Sequence, residues 1–116
     1  MEHLEEVIEE IRTFVTEREW ARFHDPKNLA MALASECGEL LSELRWVGNA
    51  DSDAFASSPE RRPAIAAEVG DVGITLVLLC DRLGLDLVRA MRDKLEVNRR
   101  NYPAESSRGK SERPNR

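Results

Sequence analysis

The stretch from Val72 to Cys80 constrains this chain most, because in VGITLVLLC the only polar side chain is Thr75. A helix that is apolar on every side belongs at the centre of a bundle or between copies of the chain, not on a surface. Helical punctuation surrounds it. Gly84 follows as a stop, and Asp86 reads as the N-cap of a further helix whose Leu87, Val88, Met91 and Leu95 keep helical spacing as far as Pro103. Upstream, Leu4, Val7, Ile8, Ile11, Phe14 and Val15 recur at three- and four-residue intervals, which predicts a first helix ending near Trp20 to Phe23. Asp25-Pro26 is a cap-plus-proline start for a second helix running to about Val47, where Gly48 ends it. Residues 49–58 form a polar, aperiodic connection. Ser58-Pro59 repeats the start signal, and Pro63 predicts an irregular first turn for the third helix. Nothing alternates like a strand, so the expected fold class is all-α: a four-helix bundle, its second and third helices antiparallel, completed by oligomerisation.

The organisation expected is one domain over residues 1–103 and a flexible tail over 104–116, rich in Ser, Gly, Pro and Arg and without apolar spacing. The tail holds four basic and two acidic residues of a chain whose net charge is −5, so the first 103 residues carry −7. Such an acidic surface argues against a nucleic-acid polymer as partner. A protein of this charge that handles phosphates must recruit cations. Cys37 and Cys80 both fall within apolar helical patterns, with no Cys/His ligand spacing, and read as buried free thiols of a reducing compartment. The acidic start MEHLEEVIEE is unlike a signal peptide, and Val72 to Cys80 is too short to span a bilayer. The expectation is a soluble, cytoplasmic protein without a membrane partner.

Chemistry concentrates on two helices. Glu36, Glu39 and Glu43 fall within about 60° of one another on the second helix, at 100° per residue. Leu29, Leu33 and Leu40 lie beside them. On the third helix Glu68 and Asp71 are one turn apart, Thr75 extends their row, and Ile65, Val72 and Leu79 flank it. Facing rows would bring four carboxylates together, and like charges at that range repel unless a cation lies between them. A hard divalent ion answers that repulsion, and Mg²⁺, which keeps waters and takes substrate phosphates, fits best. Two solvated helix faces would show the same spacing. Di-iron chemistry is disfavoured, since neither His3 nor His24 has a glutamate three residues before it.

The blocks EREWARFHDPKNLAMALASECGELLSELRW, AAEVGDV and MRDKLEVNRRNYP, in that order, resemble the MazG-like all-α nucleoside triphosphate pyrophosphohydrolases, and within them the dCTP pyrophosphatase branch. The likeness covers about Thr16 to Pro103. It implies that Glu36, Glu39, Glu68 and Asp71 are the ExxE and ExxD ligands of catalytic Mg²⁺, and that the substrate is a nucleoside triphosphate, dCTP or a modified dCTP, cleaved to monophosphate and pyrophosphate. It further implies substrate contacts by Trp20, His24 and Trp46 around base and sugar, by Lys94 and Asn98 on the phosphate side, and a homodimer or homotetramer. Without the resemblance, the two tryptophans read equally as core or interface packing, and KLEVNRR as a solvated helix face. Two positions depart from the animal dCTP enzymes: Ile11 stands where they have a histidine, and Thr75 where they have a tyrosine. The alternatives are a house-cleaning pyrophosphatase for another or a non-selective nucleotide, and a non-catalytic helical interaction module.

Overall fold

The computed structural model describes residues 3–111. Its elements are α1 (Leu4–Glu17), a 3₁₀ turn (Ala21–Phe23), α2 (Pro26–Leu44), a second 3₁₀ turn (Asn49–Asp51), α3 (Ser52–Ser57), α4 (Arg62–Leu83), α5 (Leu87–Asn101) and α6 (Ala104–Ser107). Among the described residues there is no strand, and the fold is all-α. The chain divides into two compact units, one up to Leu83 and one from Gly84 onward.

In the first unit the main packing is α2 against α4, with smaller contributions from α1 and α3 to α4. The start of α2 is fixed as its sequence predicts: Pro26 occupies the first turn and the Asn28 backbone N–H donates to Asp25 Oδ1 at 2.9 Å. The two helices run antiparallel. Glu43 near the end of α2 pairs with Arg61, just ahead of α4, while Leu29 near its beginning shares a pocket with Ile74 and Leu78 in the second half of α4. Arg12 ties α1 to α4 through Asp81, its Nε donating at 2.8 Å, and also pairs with Glu9 one turn back. The buried core is small: Ile11 and Val15 from α1, Leu29 from α2, Val77 and Cys80 from α4. Leu29, at 3% exposure, is the most enclosed of these. Burying a side chain of its kind contributes about 1.5–3 kcal/mol. Met31, Leu41, Val69, Ile74 and Leu83 are exposed, so α2 and α4 each carry apolar surface that the first unit leaves uncovered.

Several boundaries differ from those expected. Helix α1 stops at Glu17, short of Trp20, because Glu19 adopts a left-handed φ of 54°. The Glu19 N–H then reaches the Thr16 carbonyl and the Trp20 N–H the Val15 carbonyl, both at 3.1 Å, which closes the helix as a Schellman turn. Helix α2 ends at Leu44 rather than Val47. The polar connection is partly helical: the 3₁₀ turn runs into α3, with the Ser52 hydroxyl donating to the Asn49 carbonyl at 2.8 Å, in a piece too short to show a period. Helix α4 begins only at Arg62, after the irregular turn that Pro63 predicted, and ends where Gly84 takes a φ of 66°. Cys80 is buried, and burial pushes its thiol pKa up, but Cys37 is exposed. Cys37 sits at the edge of the stripe that Leu29, Leu33 and Leu40 turn towards α4. By length and composition the whole of α4, unlike the run at its centre, is apolar enough to cross a membrane. It nevertheless carries Glu68 and Asp71 partway along, and a charge at a bilayer centre costs about 2.5–3.5 kcal/mol even on insertion scales.

In the second unit, the Arg89 N–H donates to Asp86 Oδ1 at 3.0 Å, so Asp86 caps α5 as expected. Arg89–Asp93 and Glu96–Arg99 pair along its surface. Pro103 ends this helix and immediately caps the single turn of α6, so the expected tail opens with local structure; residues 112–116 of that tail lie outside the described residues.

Candidate functional site

The α2/α4 seam does what the facing rows predicted. One carboxylate oxygen from each of Glu36, Glu39, Glu68 and Asp71 lies within 4.8 Å of the others. Glu36 and Glu68 point inwards and are half-buried, while Glu39 and Asp71 line the open side. Glu36 Oε2 and Glu68 Oε2 are shielded from solvent and accept no hydrogen bond. Loss of hydration, then the charges of Glu39 and Asp71, push the carboxyls of Glu36 and Glu68 above their ordinary value of 4.5. Glu43 continues the row and adds to the field on Glu68, but its own Oε2 accepts from the Arg61 guanidinium at 2.8 Å. Arg61 also lies over the Phe55 ring at 5.3 Å.

The donor set fits a hard divalent cation. It is all carboxylate oxygen, it is more negative than its surroundings balance, and two of its oxygens are shielded from solvent and accept no hydrogen bond. A bound cation would supply what those oxygens lack and remove the repulsion among the four groups.

One helical turn further along the same seam lies a pocket of about 380 Å³. Leu29 and Ala32 of α2 and Ile74, Thr75 and Leu78 of α4 form one side, and Ile11, Phe14 and Val15 of α1 form the other, with Trp20 and His24 from the connection. The Schellman turn places Trp20 there: Phe14, one turn before Arg18, meets the indole edge-on at 5.6 Å between centroids. The Arg18 guanidinium lies over the Phe14 ring at 3.7 Å. The Asn28 side chain donates to the Phe23 carbonyl at 3.2 Å and fixes the segment bearing His24, which is half-buried. Thr75 donates its hydroxyl hydrogen to the Asp71 carbonyl at 2.8 Å.

Of the residues singled out in the sequence, the structure joins Glu36, Glu39, Glu68 and Asp71 in one cluster and Trp20 and His24 in the neighbouring pocket. Ile11 and Thr75, the two departures, both face that pocket. Trp46 does not. It stands 85% exposed beyond the end of α2, with Arg45 over its ring at 4.9 Å. Lys94 and Asn98 lie one turn apart on α5 in the second unit, Lys94 exposed and Asn98 half-buried. Sequence reasoning missed Glu10, Phe14 and Ala32 as pocket residues and Arg61 as the partner of Glu43. Phe14 and Ala32 were legible only as helix-face positions, and Arg61 only as one charge in a polar connection.

An all-α chain with a four-carboxylate seam and an adjoining apolar pocket has a close counterpart among solved structures: the crystal structure of a pyrophosphatase from Archaeoglobus fulgidus. The two superpose with a TM-score of 0.82 at 33% sequence identity, over 89% of this chain and 94% of that one. This chain therefore belongs to the MazG-like all-α pyrophosphohydrolase family. Among characterised relatives it is 41% identical to dCTP pyrophosphatase 1 of Rattus norvegicus over 109 residues, and 40% identical to dCTP pyrophosphatase 1 of Homo sapiens over 111 residues. These alignments take in 90% and 92% of this chain but span only 64% and 65% of the relatives' own length. No protein-family model matches the chain.

Proposed function

We propose that the chain is a Mg²⁺-dependent nucleoside triphosphate pyrophosphohydrolase of the cytoplasm that cleaves dCTP, or a base-modified dCTP, to the monophosphate and pyrophosphate. One observation carries the reading: the carboxylate cluster and the apolar pocket are consecutive along a single groove, Asp71 being one turn from Thr75 on α4 and Glu36 one turn from Ala32 on α2. A nucleotide has the same polarity, a flat base at one end and phosphates at the other.

Glu36, Glu39, Glu68 and Asp71 hold the cation. When bound, Mg²⁺ neutralises the triphosphate and makes a water a better nucleophile at the α-phosphorus. The inward pair, Glu36 and Glu68, are seated where packing restricts their motion. Glu43 has one oxygen committed to Arg61 and serves the charge balance of the site. Trp20 offers an indole for stacking on the base, and His24 offers ring nitrogens to its edge or to the sugar. On the resemblance alone, Lys94 and Asn98 are assigned to the phosphate end of the substrate, the one for its point charge and the other for its amide donors. Trp46 cannot stack on the same base within one copy of the chain. Ala32, the pocket-wall residue of α2 nearest its end, and Leu44, two residues before Trp46, are separated by about 18 Å at 1.5 Å per residue. A second copy must bring Trp46 to the pocket, so a homodimer or homotetramer is part of the proposal. The uncovered apolar surface of α2 and α4 gives that assembly something to bury.

Incubation of the purified protein with Mg²⁺ and a panel of nucleoside triphosphates tests this. The expected products from dCTP are dCMP and pyrophosphate. Release of orthophosphate contradicts the proposed bond cleavage, equal kcat/KM across bases favours the house-cleaning alternative, and no turnover favours the interaction module.

A further inference from the structure

We propose that Glu10 selects the nucleobase, favouring bases with an exocyclic amine, cytosine foremost, over bases that present a carbonyl at the same edge, such as uracil. The inference rests on the reading of the pocket as the nucleoside subsite. Its polar lining is sparse: Glu10, His24 and Thr75 among otherwise apolar side chains. Thr75 has given its hydroxyl hydrogen to the Asp71 carbonyl. Ile11, at the position next to Glu10, offers no polar atom at all.

Glu10 is different in kind. Among the described residues no cation pairs with it, whereas its neighbour Glu9 is taken up by Arg12. It lies one turn before Phe14, the residue that braces Trp20, so carboxylate and stacking indole belong to the same wall. An ionised carboxylate only accepts hydrogen bonds. Against the amine of cytosine it finds a donor, as Glu does when it reads cytosine in a DNA groove. Against the carbonyl of uracil it sets acceptor against acceptor, and the base loses a water partner without gaining another. One charge-assisted hydrogen bond at a half-open pocket corresponds to discrimination of roughly ten-fold or more.

The test compares wild type with Glu10→Gln and Glu10→Leu, reading kcat/KM for dCTP and dUTP by pyrophosphate release, and binding of dCMP and dUMP by calorimetry without turnover. Wild type should prefer dCTP and dCMP by about ten-fold or more. Glu10→Gln, whose amide can turn either an N–H or a carbonyl to the base, should bring both ratios close to one. Glu10→Leu should weaken dCMP binding with little effect on dUMP. Unchanged ratios in both variants, or a wild type that prefers dUTP, overturn the role of Glu10 while leaving the pyrophosphohydrolase reading intact. A wild type that releases no pyrophosphate and binds neither monophosphate overturns both. Since Glu10 is exposed, thermal melting of the glutamine variant should match wild type and exclude a folding defect.

Discussion

Arg61→Ala should weaken the fold and tighten the metal site at the same time. Arg61 holds Glu43 at 2.8 Å, with the two side chains 44% and 22% exposed, and covers Phe55 at 5.3 Å. A part-exposed ion pair contributes up to about 1 kcal/mol and an exposed cation–π contact about 0.5 kcal/mol. The metal-free variant should therefore lose about 1–1.5 kcal/mol, a fall in Tm of roughly 5–10 °C for a domain of this size. The cation site should respond in the opposite sense. For a positive charge one Debye length (about 8 Å) from a divalent ion, deletion removes about 1 kcal/mol of repulsion in water, which salt reduces to about 0.4 kcal/mol, so the Mg²⁺ Kd should fall about two-fold. Calorimetric melting in EDTA and titration with Mg²⁺ read the two effects separately. Glu43→Gln should weaken Mg²⁺ binding, and the double variant should return near wild type, since both charges are then gone. Weaker Mg²⁺ binding in Arg61→Ala would instead make Arg61 a support of the site and not a counter-charge to it.

The raised carboxyls of Glu36 and Glu68 set a pH dependence of defined sign. A group whose folded pKa exceeds its unfolded value binds more protons in the folded state, so its stabilisation is complete below 4.5 and is lost as pH rises through the raised value. Metal-free protein should thus lose Tm with rising pH in that window relative to Glu68→Gln, and saturating Mg²⁺ should abolish the difference. Glu19→Gly should stabilise the chain by about 0.5–1 kcal/mol, because glycine takes the left-handed φ of 54° without the cost borne by glutamate. Its Tm should rise by a few degrees with KM unchanged, whereas Glu19→Val should lower both Tm and substrate affinity by loosening the turn that seats Trp20.

The parts of this molecule that were legible beforehand follow from local rules. Asp25-Pro26 and Asp86 cap helices because an aspartate side chain satisfies an otherwise unpaired N–H, and nothing distant is needed to see it. The carboxylate cluster was legible because Glu36, Glu39, Glu68 and Asp71 repeat at one-turn spacing beside apolar stripes that have to meet. What escaped depends on backbone or tertiary detail. No propensity announces a glutamate in the left-handed region, so the early end of α1 and the seating of Trp20 against Phe14 were hidden. Helix α3 is shorter than two turns and shows no period. The resemblance grouped Trp46 with Trp20, whereas the structure leaves Trp46 exposed beyond the end of α2, outside the pocket that Trp20 lines. Glu10 looked like any solvated residue of α1 until the pocket had a wall.

On the proposed function, four carboxylates on α2 and α4 form one cation site on which the chemistry depends. Calorimetric titration of metal-free protein with Mg²⁺, for wild type and Glu39→Gln, tests it most directly. Wild type should show saturable binding with a matching rise in Tm, and a folded Glu39→Gln protein should lose both. Wild type that takes up no Mg²⁺ at millimolar concentration, or Glu39→Gln that binds it equally well, would contradict a cation site at these four carboxylates.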